Sequence, residues 1–389
     1  MIWQLLIAIL FFPGVVRGET VNYPEQIERE LDQFEEYSEK LKKIGIPLFL
    51  RYRGEPLLSY HLNSENEAKY RGLLSLSAGI HTERLGLWKG GFFFVSGQDG
   101  HGDSMTINSA GTVRFVTNIG APDFTQIYQV FIRQELLDRK LWFRVGRLDG
   151  NAIFCVNQFG GRLINPAFTL IPTVPIPTYP APALGATALY NVIPAISIGA
   201  AIFQGSSSIG TSGFETLFNA GYFALLEPAW KTRWTARKLA GNYRLGLWYH
   251  SGTFPEIGSP SNPQTFSGNY GVYVMIDQWL YQPANPAHEW HGLGLFLQLG
   301  WAPADRNQVT RYIGTGLSYR FSSLDSAGFG LKYQVQIADR PVEVVNAEIF
   351  YRVRMASWFY LQPDVQYFYN PSGPYDHAFV AGFRFLFEL

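Results

Sequence analysis

Arginines, carboxylates and tryptophans recur at every second position of apolar runs along this chain. Leu141, Phe143 and Val145 alternate with Trp142, Arg144 and Gly146; Tyr243, Leu245 and Leu247 alternate with Arg244, Gly246 and Trp248. By the same parity Arg51, Arg53, Arg114, Asp277, Glu348 and Arg384 share one face. A guanidinium is a fork of donors, a carboxylate supplies acceptors, and an aromatic face can stack on an apolar ring. Gathered on one wetted surface, such groups can replace the water hydrogen bonds of an uncharged polyol. Mixed charge suits a neutral solute better than a ring of one sign, which favours an ion. The candidate contacts are Arg144, Arg244, Asp277, Trp142, Trp248, Glu348, Arg51 and Arg114. Arg147 falls on the apolar parity near a strand end and is a further candidate, at a bulge or facing a loop. Each arginine also has a plainer reading, as a structural charge paired with a nearby carboxylate.

Other chemistries find no support. His288, Glu289 and His291 have the wrong spacing for a zinc-protease helix and follow Pro286; the other five histidines are scattered. Cys155 is the single cysteine, so no disulfide forms within the chain. The sequence offers no metal site, no cofactor fingerprint and no G-x-S-x-G or P-loop. A barrel enzyme such as a lipase would need a nucleophile with a base partner, and no convincing arrangement is present.

The elements that must carry these residues are strands. Residues 377–389 place Phe379, Ala381, Phe383, Phe385, Phe387 and Leu389 on one face and Gly382, Arg384 and Glu388 on the other. In a lipid barrel the apolar face turns outward and the arginine meets an aqueous lumen. About seventeen such segments of roughly 9–13 residues follow one another, the length a tilted membrane strand needs. Bacterial barrels use even numbers, so the expectation is an all-β, transmembrane antiparallel barrel of 16 strands. A secreted β-sandwich could alternate too, but would not keep arginines and glutamines on one face in strand after strand. Trp301, Tyr319, Trp358 and Tyr369 near strand ends suit interfacial belts.

Composition agrees. Only 16% of the 389 residues are charged, 16% are aromatic, and 39 are glycine. Residues 1–18 read as a signal peptide with an apolar run too short to span a bilayer. Its removal would leave 30 basic against 31 acidic residues, a balance that argues against nucleic-acid binding. Residues 19–45 read as a short acidic amphipathic helix, with Ile27, Leu31, Phe34 and Leu41 at helical spacing, capping the periplasmic end. Residues 46–389 would form the barrel, interrupted near 150–182 by a long proline-rich loop whose Phe154, Phe159, Phe168 and Leu170 suggest packing inside the lumen.

Several blocks resemble a known family. Arg144-Val145-Gly146-Arg147-Leu148-Asp149-Gly150-Asn151, Gly246-Leu247-Trp248-Tyr249-His250-Ser251-Gly252 and Gly268-Asn269-Tyr270-Gly271-Val272-Tyr273 with Asp277-Gln278 are similar to segments of the OprB family of carbohydrate-selective porins. Pro177–Gly185, Ala302–Asn307 and Leu361–Tyr367 extend the resemblance to the C-terminal end, where Leu389 replaces the usual phenylalanine. The resemblance implies a sixteen-stranded channel in the outer membrane of a Gram-negative-type bacterium. It would pass monosaccharides such as glucose by passive diffusion, without catalysis, as a monomer or a homotrimer in outer-membrane lipid. It also favours Arg144, Arg244 and Asp277, which lie in the matching blocks. A general small-solute porin without sugar preference is the alternative.

Overall fold

The computed structural model describes residues 38–61, 66–109, 112–214, 221–233, 239–257, 263–283, 291–322, 325–337, 341–369 and 377–389. The signal-peptide reading and most of the acidic helix lie outside them.

The chain alternates because each strand separates lipid from lumen. Three strands open it: β1 (Leu48–His61), β2 (Glu67–His81) and β3 (Gly91–Gly102). A hairpin of β4 (Thr106–Ser109) and β5 (Thr112–Phe115) follows, then β6 (Phe124–Leu136) and β7 (Leu141–Leu148). After a long loop come β8 (Ala183–Ile193), β9 (Ile196–Gln204), β10 (Tyr222–Arg233), β11 (Ala240–Pro255) and β12 (Thr265–Tyr281). The last six are β13 (Gly292–Trp301), β14 (Val309–Arg320), β15 (Ser326–Ile337), β16 (Pro341–Ala356), β17 (Phe359–Tyr369) and β18 (His377–Glu388).

Sixteen of these, all except β4 and β5, close into one antiparallel barrel in which β18 pairs with β1. Leu389 completes the seam by exchanging backbone hydrogen bonds with Leu50, at 2.9 and 3.0 Å. Closure leaves no strand edge to be satisfied by water, as a bilayer demands. The outer surface is apolar. Phe329, Ile349 and Val365 are laterally paired on β15, β16 and β17, and their side chains stay open to the surroundings.

The barrel's two rims differ. The rim holding Leu389 and β1's start has short turns, such as 137–140 and 357–358. The opposite rim carries the long connections 103–123 and 149–182, which makes it the extracellular one. Residues 38–44 are helical and end at Gly45 (φ +101°). Gly45 and Ile46 N–H reach back to Lys42 and Leu41 carbonyls, a helix-ending pattern that the glycine permits. This short helix rests on the short-turn rim, where Arg84 donates to the Lys42 carbonyl.

Both long connections fold inward. The β4–β5 hairpin packs Met105, Ile107 and Val116 against Leu57, Phe368 and Val380 of the wall. The 149–182 loop contains a 3-10 turn (Gly150–Ala152) and one turn of helix, α1 (Pro166–Thr169), capped by the Asn165 side chain. It buries Phe154, Ile171, Val174 and Ile176 against Phe203, Phe223, Trp248, Tyr273 and Tyr312. Phe159, Leu163 and Phe168 do the same against Trp279, Phe296 and Phe350. The lumen therefore has an apolar core of its own, made where the loop meets inward aromatics.

Candidate functional site: the lumenal passage

Beside the inserted loop a cavity of about 690 Å³ remains. Its wall side comes from β1, β2, β3 and β6 through Arg51, Arg53, Ser75, Ser77, Gln98, Tyr128 and Gln129. The loop contributes Asp149, Pro172 and Tyr179; the 103–123 connection contributes Arg114 and Asn118; β15 contributes Lys332 and Gln334. Three arginines and a lysine thus face amide and hydroxyl groups across this space. Arg51 forms an ion pair with Glu388 at the β1–β18 seam, which orients its guanidinium.

Asp149 is held in place. It accepts the Tyr128 hydroxyl at 2.6 Å and the Asn151 N–H at 2.9 Å. Burial nevertheless raises its carboxyl pKa above the ordinary value. Burial also pushes the Tyr179 phenol up to about 12, so it stays neutral while donating to the Ile119 carbonyl at 2.8 Å. Around the cavity, then, side-chain donors outnumber carboxylates.

The sequence candidates separate into groups. Arg51 and Arg114 line the passage, but Arg114 belongs to β5 in the hairpin, not to a wall strand. Its four-residue strand is too short to span a bilayer, so wall parity did not apply to it. Trp142 and Arg144 face inward near the short-turn rim, away from this cavity; the Arg144 guanidinium stacks between Phe131 and Trp142 at 5.0 and 4.8 Å. Arg147 keeps its outward parity. It is buried where it donates to the Tyr128 carbonyl and Gln126, and it borders an outer-wall groove instead of the lumen.

Arg244, Trp248, Asp277 and Glu348 point inward yet do not line the passage, because the loop covers them. Arg244 and Asp277 form a buried pair at 2.5 Å. Asp277 and Glu348 accept loop N–H groups from Gln158, Phe159, Ile164 and Asn165. Trp248 packs against the loop's apolar core. Expected as solute contacts, these four residues are placed by the structure against the loop or each other, away from the cavity.

Arg53, which shares the inward parity of the candidates without being one of them, and Lys332 also line the cavity. Glu227, another buried acceptor for the loop, was missed. One signal was available: inward positions occupied by glycine, at Gly294, Gly300 and Gly330, mark the loop's footprint. His291 sits just before β13 beside Tyr319, while residues 288–290 lie outside the described residues.

A family profile described as carbohydrate-selective porin, OprB family, matches residues 65–389. The chain belongs to the OprB family. Porin B of Pseudomonas aeruginosa is 24% identical over 408 aligned residues, covering 89% of this chain and 88% of that protein. The high-pH structure of Pseudomonas putida OprB is 20% identical with a TM-score of 0.78, covering 92% of this chain and 97% of that one. The low-pH structure of the same protein is 19% identical with a TM-score of 0.59, covering 97% and 100%. As an OprB-family member the chain is a sugar-selective porin of the bacterial outer membrane, a channel and not an enzyme.

Proposed function

We propose that this porin passes neutral monosaccharides, glucose among them, by passive diffusion through the passage beside the loop. The observation that carries this reading is the facing of Arg51, Arg53, Arg114 and Lys332 against Asn118, Gln98, Gln129 and Gln334 around one cavity. Its volume lies within the ~300–1,000 Å³ typical of small-molecule sites.

A hexose entering so narrow a space sheds much of its hydration. Arginine and lysine donate to the sugar's hydroxyl oxygens, and amide oxygens and serine hydroxyls accept its O–H groups. Tyr179 and Phe94 offer apolar faces to the ring. Binding has to stay weak for the sugar to leave: a millimolar constant corresponds to only about −4 kcal/mol. Trp142 and Arg144, nearer the short-turn rim, are proposed as contacts at the periplasmic exit.

All of these groups come from one chain, so a monomer and a homotrimer would conduct by the same path.

Single-channel recording tests the reading. Glucose should interrupt the ion current in a concentration-dependent way, while amino acids of similar size should not. Equal effects from both solute classes would favour a general small-solute porin.

A further inference from the structure

Three wall carboxylates meet the lumenal loop at successive points. Glu227 Oε2 on β10 accepts the Cys155 N–H at 3.2 Å and the Tyr273 hydroxyl at 2.5 Å. Asp277 Oδ1 on β12 accepts the Gln158 and Phe159 N–H groups at 3.0 and 3.1 Å. The two oxygens of Glu348 on β16 accept the Ile164 and Asn165 N–H groups at 2.5 and 3.0 Å. All three residues are buried, at 7%, 2% and 1% exposure, and none lines the passage.

We propose that Glu227, Asp277 and Glu348 are positioning residues: they hold the loop backbone against the wall and so set the width of the sugar path without touching sugar. The proposal rests on the passage beside the loop being that path. Irregular backbone carries N–H groups with no partner in a ladder, and burying them unpaired is costly. Hydrogen bonds to a carboxylate are stronger than those between neutral groups. Here three side chains satisfy five such donors in eleven residues. Apolar packing draws the loop to the wall but is non-directional. The carboxylates fix its height and rotation. A single turn of helix, α1, is too short to hold that geometry alone.

The test is single-channel recording of the full chain in planar bilayers. Glu348→Ala should convert a steady open level into one broken by frequent closures and weaken glucose block severalfold. Glu348→Gln, which keeps one acceptor oxygen, should fall between that variant and the parent. A second pair leaves the wall intact. Asn165 has φ −64°, already suited to proline, so Asn165→Pro deletes the N–H while Asn165→Ala deletes only the side chain. More closures in the proline variant than in the alanine variant support the clamp. If Glu348→Ala fails to fold, this pair decides alone. Steady, parent-like current in Asn165→Pro overturns the proposal. Closures are read from ion current, so a parent channel that sugars do not block would refute only the sugar path.

Discussion

The Phe159 ring lies directly over Gly294, so that a Cβ at that position would sit 2.1 Å from a ring carbon. Phe159 belongs to the lumenal loop and Gly294 to the inward face of β13. The ring is also edge-on to Trp279, with centroids 4.8 Å apart, and is buried in the cluster with Phe168 and Phe296. Gly294→Val should therefore push the loop off the wall and into the passage. Overpacking of this kind costs about 1–3 kcal/mol. The expected outcome is reduced single-channel conductance with the barrel still folded, judged by heat-modifiable migration in gels. Unchanged conductance would show that the loop's seat on β13 does not control the opening.

That contact also explains what the sequence could and could not reveal. Alternation is local, and the outer face meets one uniform solvent, so Phe329, Ile349 and Val365 announce a lipid-facing wall without knowledge of any other strand. Parity tells which side of a strand a residue faces, not what waits there. Whether Asp277 or Arg53 meets water depends on where residues 149–182 fold back, and that segment has no period to read. Trp248 and Arg244 lie under the loop, whereas Arg53 lines the cavity and Lys332 lines it while donating to the loop's Asn165 side chain at 3.2 Å. Arg114 does line the cavity, but its element was not legible, since a four-residue hairpin strand alternates just as a spanning one does.

Arg53 provides the sharpest test of the sugar path. It lines the passage from β1, two residues beyond Arg51, which is tied to Glu388. Arg53→Ala removes a donor fork without breaking a seam contact. Losing one charged hydrogen bond to solute, worth about 1.5 kcal/mol at the low end of the usual range, should weaken glucose block by about tenfold. Arg53→Lys should recover part of the affinity, because one point charge replaces a planar fork. Titration of current block with glucose gives the constants. Equal block in all three forms would remove Arg53 from the path.

Arg244 and Asp277 should behave differently, because their pair is buried beneath the loop. Arg244→Met leaves the Asp277 carboxylate without its counter-charge in a poorly solvated site. Breaking a buried pair from one side costs about 3–5 kcal/mol, so the main effect should be on stability. Arg244→Met/Asp277→Asn removes both charges and should recover part of the loss. Denaturant midpoints of the refolded barrel compare the three proteins. A midpoint unchanged in Arg244→Met, with altered sugar block, would return Arg244 to the list of solute contacts.

Ile349 tests the outer wall. At 58% exposure it sits mid-strand on β16 between Phe329 and Val365, and both neighbours are open on the same face. A charged side chain at the bilayer midplane of a barrel costs about 2–4 kcal/mol, whereas a lumenal one is hydrated. Ile349→Arg should therefore lower the folding midpoint in lipid vesicles by that order and leave conductance unaltered once inserted. Phe350→Leu, one position along and inward, should do the reverse in kind: it loosens the packing of Phe350 against the loop cluster and disturbs the current more than the insertion. Equal effects of the two on folding and on current would mean that the faces are not divided between lipid and lumen.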